Sequence, residues 1–133
     1  MEIDTKQVIV VRKFKNLRTG KYCSQVAHAS ISFLTRDCLI MDYSGSFNID
    51  ELDHAKEIKH WLENSFKKIV VYVETEQELL DLFDLAKNKG LDAHLIQDEG
   101  LTEFNNIPTY TCLAIGPHWS NKFEGVTDHL KLL

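Results

Sequence analysis

The sequence contains little proline or glycine, few cysteines and no long apolar run. Two prolines and six glycines in 133 residues leave no linker of the kind that separates domains, so a single domain over residues 1–133 is predicted. No apolar run approaches the roughly 20 residues that a membrane-spanning helix requires. The segment Met1–Thr5 contains two acids and is unlike a secretory signal. These absences predict a cytoplasmic protein with no membrane partner.

Cysteine and histidine occur without the spacing of metal sites. The cysteines Cys23, Cys38 and Cys112 are widely separated and include no C-x-x-C pair, which is typical of a reduced, cytoplasmic chain. There is also no H-E-x-x-H motif, no G-x-S-x-G elbow and no phosphate-binding glycine loop. Five histidines show no metal-ligand spacing with cysteine and are interpreted as surface or structural residues: His54, His60, His94, His118 and His129. No metal site is therefore predicted.

The formal net charge is −5, but the charges are unevenly distributed. Residues 1–22 contain six basic and two acidic side chains, whereas the remainder contains nine basic and 18 acidic ones. Between Arg12 and Lys21 there are five cations and no acid. Such a patch can attract phosphate groups on an acidic protein, because salt screens charges beyond about 10 Å. The alternative is a solvated loop that binds nothing.

Hydrophobic periodicity predicts alternating strands and helices. The β-branched run Val8–Val11 is typical of a strand that is buried on both faces. Apolar residues then recur at helical spacing, and Thr75 begins a T-x-x-E capping-box pattern. The predicted strands are Val8–Val11, Ile69–Val73, Ala93–Gln97 and Thr109–Ile115, the last ended by Gly116 and Pro117. The predicted helices begin near Lys21, near Leu52 with Asn48 or Asp50 as the N-cap, after Thr75 and near Ser120, and Arg36–Asn48 is predicted to be irregular.

This order of elements predicts an α/β fold with a mostly parallel or mixed sheet covered by helices on both faces. Ligands of such folds bind just beyond the carboxyl ends of the strands. Here that edge collects Arg12–Lys21 after the first strand and Asp98–Thr102 after the third. A site is therefore predicted at this edge.

Several polar residues are candidates for that site. Lys21, Gln25 and His28 are spaced at i, i+4 and i+7, so they share one face of a predicted helix, near an N-terminus that can bind an anion or a carbonyl group. Asp98 follows a strand, where a carboxylate can orient a water or a lysine. Thr111 directs its hydroxyl to one face of its strand. Each pattern also fits a structural role, as a polar helix face, a turn or an ordinary strand residue.

Five segments of the chain follow one another in the order of a known family. They are Val8–Arg12 with Gly20, Lys21 and Gln25–Ala29; Lys68–Val71; Gln97-Asp98-x-Gly100-x-Thr102; Thr111 with Ile115–Pro117; and Val126–Leu132. Together they resemble type 2 peptidyl-tRNA hydrolases, from about residue 6 to residue 133. The resemblance implies a single domain with a four-stranded mixed sheet flanked by helices on both faces, often as a homodimer.

The resemblance also implies an activity, which is hydrolysis of the ester between a peptide and the 3′ end of tRNA, without metal or organic cofactor. The family positions associated with catalysis fall on Lys21, Asp98, Thr102 and Thr111. In the resulting hypothesis, Asp98 and Lys21 orient and activate a water. Thr102, Thr111 or nearby backbone N–H groups bind the developing oxyanion.

Substrate binding is implied for a second set of residues. Gln25 and His28 match neighbouring polar positions of the same site. The basic loop, which consists of Arg12, Lys13, Lys15 and Arg18, is expected to hold tRNA phosphates.

The chain also departs from the family pattern at three positions. Phe14 stands where the family usually has an acidic residue, and Glu99 and Leu101 stand where the family's acidic turn usually has alanine and arginine. The second hypothesis is therefore a catalytically altered relative that binds a ligand, a nucleotide or a protein partner.

Overall fold

The computed structural model describes residues 3–37, 48–98 and 107–133. Its strands are β1 (Thr5–Arg12), β2 (Lys68–Val73), β3 (Ala93–Asp98), β4 (Thr109–Trp119) and β5 (Lys131–Leu132). Its helices are α1 (Thr19–Asp37), α2 (Ala55–Glu63) and α3 (Glu76–Asn88), with short 3-10 helices at Ile49–Glu51 and Ser120–Phe123. The strands form one sheet in the order β3-β4-β1-β2-β5.

Strand β1 lies at the centre of the sheet and is buried on both faces. It pairs in parallel with β2 and antiparallel with β4, and β3 is antiparallel to β4. Val8 and Val10 pack on the face that carries α3, whereas Ile9 and Val11 pack on the face that carries α1. This two-sided burial explains the uninterrupted β-branched run, because no position of the strand faces solvent. The predicted α/β class with a mixed sheet is confirmed.

Helices cover both faces of the sheet. α3 packs Leu79, Leu82 and Ala86 on one face. α1 covers the other face with Ala29 and contacts α2 through Phe33, whose ring packs edge-on against Trp61 at a centroid distance of 5.9 Å. Within the described ranges, no helix combines the length and the apolarity that a membrane span requires.

The number of strands differs from the prediction of four. The fifth, β5, pairs antiparallel with β2 through Leu132 opposite Val71 and Lys131 opposite Tyr72. Both β5 residues are exposed, and a two-residue strand is too short to show the alternation of polar and apolar residues from which strands are predicted. The sheet is therefore mixed as expected, but one strand wider.

Strand β4 also continues past the point where it was predicted to end. Gly116 and Pro117 lie inside it, and pairing with β1 resumes at Lys6 opposite His118. The register shifts between Lys6 and Val8, as at a β-bulge. Pro117 has no backbone N–H to donate to the neighbouring strand. Because a bulge leaves one residue unpaired, the pairing of β4 with β1 can continue past Pro117, and the proline does not end the strand.

The first residues of the helices show which local sequence signals predicted the start of a helix correctly. Thr75 accepts a hydrogen bond from the backbone N–H of Glu78 at 3.1 Å, which confirms that the T-x-x-E pattern marks the N-cap of α3. Asn48 caps the short 3-10 helix instead of α2, which begins only after His54. The segment predicted to be irregular, Arg36–Asn48, begins within α1, because that helix extends to Asp37. Its residues 38–47 lie outside the described part of the chain.

Candidate active site

The first turn of α1 and the end of β3 meet at the edge of the sheet where β1, β2 and β3 have their carboxyl ends. Lys21 Nζ lies 2.7 Å from Asp98 Oδ2, and the two side chains are 15% and 14% exposed. The pair is shielded from bulk water on most sides, so the interaction is screened less than a surface ion pair. Two predicted site residues that are 77 positions apart are therefore in direct contact.

Gln25 lies one helical turn beyond Lys21 and bonds the same carboxylate. Its Nε2 donates to Asp98 Oδ2 at 3.1 Å, and its side chain is buried, with 6% of the residue exposed. An ionised carboxylate only accepts hydrogen bonds, so the amide must turn its NH₂ group toward Asp98. The carbonyl oxygen of Gln25 therefore faces the opposite direction.

Thr111 meets that carbonyl oxygen from the first half of β4. Its Oγ1 donates to Gln25 Oε1 at 2.6 Å, with a longer contact of 3.5 Å to the carbonyl oxygen of Ile96. A threonine hydroxyl has a single proton to donate, and here Gln25 receives it. The four residues Lys21, Asp98, Gln25 and Thr111 form one continuous hydrogen-bonded chain, which is called the site network below.

Local packing explains why these side chains converge. Tyr22, Val26 and Ala29 of α1 pack against Ile96 of β3 and Cys112 of β4. That apolar stripe orients the helix so that the neighbouring i and i+4 positions, 21 and 25, lie over the edge of β3. Packing of the apolar residues of α1 against the sheet therefore positions Lys21 and Gln25 in the site.

Tyr22 also connects α1 to the basic loop. Its hydroxyl accepts a hydrogen bond from the backbone N–H of Phe14 at 2.8 Å and donates one to the carbonyl oxygen of Phe14 at 2.9 Å. In the sequence, Tyr22 is one of the apolar residues that recur at helical spacing where the first helix is predicted to begin. A tyrosine at the start of such a stripe, next to a polar loop, is the only signal that indicated this role.

The basic loop follows β1 and leads into α1. The guanidinium of Arg12 lies 4.6 Å from the centre of the Phe14 ring, and Lys13 Nζ lies 4.7 Å from the centre of the Tyr72 ring. Lys13, Lys15 and Arg18 are exposed, and Arg12 is half-buried. The loop thus presents several cations at the same edge of the sheet as the site network.

Two predicted site residues are not part of this network. His28 is exposed and makes no hydrogen bond to any residue of the described ranges, although it shares the polar stripe of α1. Thr102 lies outside the described residues, as do Glu99 and Leu101 of the same turn. The structure therefore brings together Lys21, Gln25, Asp98 and Thr111, but not His28.

The neighbouring thiol of Cys112 is chemically inert. Cys112 is fully buried, and burial raises the pKa of its thiol to about 12. The thiolate is the nucleophilic form of cysteine, and at neutral pH almost none is present at such a pKa. The site network itself contains one carboxylate and no imidazole or thiolate, which is not the donor set of a transition-metal centre.

Comparison with known proteins identifies the family. The family described as "Peptidyl-tRNA hydrolase PTH2" matches residues 5–133 of the chain. The chain belongs to this family. The family match contains every member of the site network, and it confirms the resemblance drawn from the five sequence segments.

Relatives named peptidyl-tRNA hydrolase extend this result. The one from Methanopyrus kandleri is 38% identical over 128 residues, covering 96% of this chain and 97% of the relative. The one from Thermococcus onnurineus is 37% identical over 130 residues, covering 96% of this chain and 97% of the relative. The one from Metallosphaera sedula is 38% identical over 128 residues, with 96% and 99% covered. PTH2 relatives thus match this chain over almost their whole length.

A solved structure supports the fold. A protein of unknown function from Agrobacterium tumefaciens superposes with a TM-score of 0.56 at 12% identity, covering 98% of both chains. At that identity the likeness concerns only the fold, which is therefore shared beyond the PTH2 relatives named above.

Proposed function

We propose that the chain hydrolyses the ester bond between peptide and tRNA in peptidyl-tRNA, and so releases free tRNA. Membership of the PTH2 family and the names of the relatives support this activity. The observation that carries the proposal is the hydrogen-bonded chain from Lys21 through Asp98 and Gln25 to Thr111, next to the basic loop. It combines a charged acid–base pair with a phosphate-binding surface at one edge of the sheet.

The proposed chemistry begins at Asp98. Its carboxylate orients a water molecule and accepts a proton from it as the water oxygen attacks the ester carbonyl. The ammonium group of Lys21 stabilises the negative charge of the carboxylate and the charge that develops during attack. When the tetrahedral intermediate collapses, the ribose oxygen of tRNA leaves and takes up the proton that Asp98 accepted from water, which restores the carboxylate.

The role proposed for Gln25 is to position Asp98. Its amide fixes one carboxylate oxygen, and Thr111 fixes the amide in turn. Since the hydroxyl proton of Thr111 already bonds Gln25, the oxyanion is better served by Thr102 or by backbone N–H groups. Each correctly placed oxyanion donor contributes about 3–4 kcal/mol to transition-state stabilisation.

The role proposed for the basic loop is to bind tRNA phosphates through Arg12, Lys13, Lys15 and Arg18. Three of these side chains are exposed, and the loop ends where α1 and the site network begin. Binding through phosphates releases counterions, so affinity for tRNA must fall steeply as salt is raised.

The decisive experiment measures peptidyl-tRNA hydrolysis by the parent chain and by Asp98→Asn. We expect the variant to lose essentially all activity, because a neutral amide cannot accept the proton from water. Asp84→Asn is the matched control, since Asp84 is an exposed carboxylate on α3, which covers the opposite face of the sheet. An active Asp98→Asn variant would contradict the mechanism. An inactive parent chain that still binds a ligand would favour the catalytically altered relative, the function suggested by Phe14, Glu99 and Leu101.

We also infer that the chain forms a homodimer, as the family resemblance implies, and that it acts in the cytoplasm, as predicted from the sequence. An apolar groove of about 980 Å³ between α1, α2 and the C-terminal strand supports the dimer. Ile31, Leu62, Phe66 and Leu133 line this groove and are 41–50% exposed. Contiguous exposed apolar surface of this kind is typical of interaction sites. Sedimentation should show a dimer for the parent chain and a monomer for Leu62→Glu, and a monomeric parent would overturn the inference.

A further inference from the structure

A second cluster of chemically capable side chains lies at the opposite edge of the sheet. His54, Glu57 and His118 each offer one ligand atom, and these three atoms lie within 4.8 Å of one another. Thr111 and His118 are seven residues apart on β4, which corresponds to about 23 Å along an extended strand. The cluster is therefore separate from the site network.

Each member of the cluster is held by a defined element. His54 immediately precedes α2 in the left-handed backbone region, with φ 64° and ψ 28°. Glu57 is three residues further on, so the two side chains lie on the same side of the helix start. His118 projects from β4 and is only 4% exposed, and its ring packs edge-on against the ring of His54 at 4.7 Å.

We propose that His54, Glu57 and His118 form a binding site for a divalent transition-metal ion such as Zn²⁺. Two imidazoles and one carboxylate are a three-ligand set that zinc proteins use, with a water molecule in the fourth position. Imidazole nitrogen suits zinc, copper and nickel, whereas Ca²⁺ and Mg²⁺ prefer sites made of oxygen ligands. The site should therefore discriminate between these two classes of cation.

The three ligand atoms have to move closer together to bind the ion. Bonds of about 2.0–2.2 Å in a tetrahedral arrangement place ligand atoms roughly 3.3–3.5 Å apart. From an upper limit of 4.8 Å, the required approach is at most about 1.5 Å. His54 and Glu57 are half-buried and can rotate, while the buried His118 serves as the fixed ligand.

Glu57 is the one anionic member of the proposed ligand set. Asp92 and Lys122 also act electrostatically on His118, with opposite signs, so their effects on a bound cation oppose each other. Glu57 then supplies the negative charge that partly neutralises the ion. Replacing its carboxylate with an amide should therefore weaken binding without a change of shape.

One local hydrogen bond competes with the ion and provides a signature of binding. The backbone N–H of Trp119 donates to Nδ1 of His118 at 2.9 Å. A neutral imidazole that ligates a metal through one nitrogen carries its proton on the other. If Nδ1 binds the metal, its lone pair is occupied, and if Nε2 binds it, Nδ1 carries the proton. In both cases Nδ1 can no longer accept a hydrogen bond from Trp119, so metal binding must change the environment of the Trp119 amide.

The test uses the full chain without a histidine tag, after treatment with a chelator. Zn²⁺ affinity is measured by competition with a chromogenic chelator, and Co²⁺ is added separately to read the coordination geometry from its visible absorption. We expect one equivalent of Zn²⁺ to bind, Co²⁺ to give a four- or five-coordinate spectrum, and Mg²⁺ not to compete. Absence of stoichiometric Zn²⁺ binding would overturn the proposal.

Two variants locate the ion without disturbing the core. Glu57→Gln keeps the side-chain shape, and His54→Asn places a residue that tolerates the left-handed region. Each should weaken Zn²⁺ binding at least about tenfold, as ligand loss must exceed the 10–100-fold effect typical of outer-shell partners. His129→Asn, which removes an exposed histidine elsewhere, is the control and should leave affinity unchanged. Equal affinity in all four proteins would show adventitious binding and overturn the proposal.

Two further readouts separate this proposal from the proposed hydrolase activity. With free Zn²⁺ buffered near the dissociation constant of the parent chain, the Trp119 amide resonance should shift in the parent chain, and Glu57→Gln should need about tenfold or more free Zn²⁺ for the same shift. Hydrolysis of peptidyl-tRNA should be the same with and without Zn²⁺, because the cluster is remote from the site network. A Trp119 shift with the same Zn²⁺ dependence in Glu57→Gln as in the parent chain would show that Glu57 is not a ligand and would overturn the three-ligand site.

Discussion

The hydroxyl of Tyr22 is bonded to both the backbone N–H and the backbone carbonyl of Phe14, at 2.8 and 2.9 Å. One side chain of α1 thereby satisfies two backbone groups of the basic loop and fixes the loop relative to the helix that carries Lys21 and Gln25. The family resemblance leads us to expect an acidic side chain at position 14, but this interaction uses only the backbone of Phe14. The coupling of loop and helix is therefore independent of the side chain at position 14.

Removal of the Tyr22 hydroxyl should loosen the basic loop. We expect Tyr22→Phe to destabilise the chain by about 1–2 kcal/mol, since two hydrogen bonds are lost. It should also raise KM for peptidyl-tRNA more than it lowers kcat, because the basic loop is proposed to bind tRNA phosphates whereas the site network is proposed to hydrolyse the ester. Tyr110→Phe removes a hydroxyl that makes no hydrogen bond within the described ranges and serves as the control. Equal effects of the two variants would argue against the role of Tyr22.

Replacement of Gln25 should disable the site network while leaving its charged pair in place. Gln25→Met keeps the length of the side chain but leaves Thr111 and Asp98 each without one buried partner, which costs about 1–3 kcal/mol of stability per group. A carboxylate that is mispositioned by about 1 Å can lose roughly 100-fold in rate, so kcat should fall by about that factor. Gln77→Met, on the exposed face of α3, is the matched control. Unchanged kcat in Gln25→Met would remove Gln25 from the mechanism.

The side-chain carboxylate of Asp4, which lies near the N-terminus, should make the free energy of unfolding depend on pH. Hydrogen bonds from Lys67 and Ser120 hold the pKa of Asp4 below its ordinary value of 3.8. A lowered pKa in the folded state stabilises the chain above the ordinary pKa, and this contribution is lost as the pH falls through the folded-state pKa. Asp4→Asn should therefore reduce stability at pH 7, by at most about 1 kcal/mol because the pair is exposed to solvent.

Denaturant unfolding of parent and Asp4→Asn chains across the acid range measures this effect. The difference in unfolding free energy should shrink toward zero below the ordinary pKa of the carboxyl. A difference that stays constant over the whole range would show that the variant acts through lost packing and not through charge.

Two cysteines should differ sharply in their reactivity toward alkylating reagents. Cys23 is exposed, whereas Cys112 is fully buried and its thiol has a pKa of about 12. In the native Leu62→Glu chain, in which the groove lined by Cys23 is not covered by a second copy, iodoacetamide near pH 8 should modify Cys23 rapidly and leave Cys112 intact until the chain is unfolded. Peptide mass spectrometry assigns each adduct, and a Cys23→Ser chain should lose the rapid phase at that position. Rapid native labelling of Cys112 would contradict the packing of β4.

Features with a local cause were predictable from the sequence. The buried strand β1 follows from a run of β-branched residues, and the start of α3 from a capping box. The shared face of Lys21 and Gln25 follows from their spacing of four, and the position of Asp98 follows from strand topology. These features depend on neighbours along the chain or on the general form of the fold.

Features that join distant residues were not predictable in the same way. The donation from Thr111 to Gln25 depends on which end of an amide faces a carboxylate, which no spacing reveals. The cluster of His54, Glu57 and His118 joins positions that are more than 60 residues apart. Without any metal-ligand spacing in the sequence, both histidines were interpreted as surface or structural residues. The short strand β5 gains its hydrogen bonds only from β2, so its two residues carry no pattern of their own.

The direction of the hydrogen bonds in the site network is set by a single charge. Because Asp98 has no proton to give when ionised, Gln25 presents its NH₂ group and Thr111 has to donate. A neutral carboxylic acid at the same position could donate, which would allow the amide to turn over and the Thr111 hydroxyl to reverse with it. The donor role of the Thr111 hydroxyl in the interior of β4 thus depends on the charge of a carboxylate on a different strand.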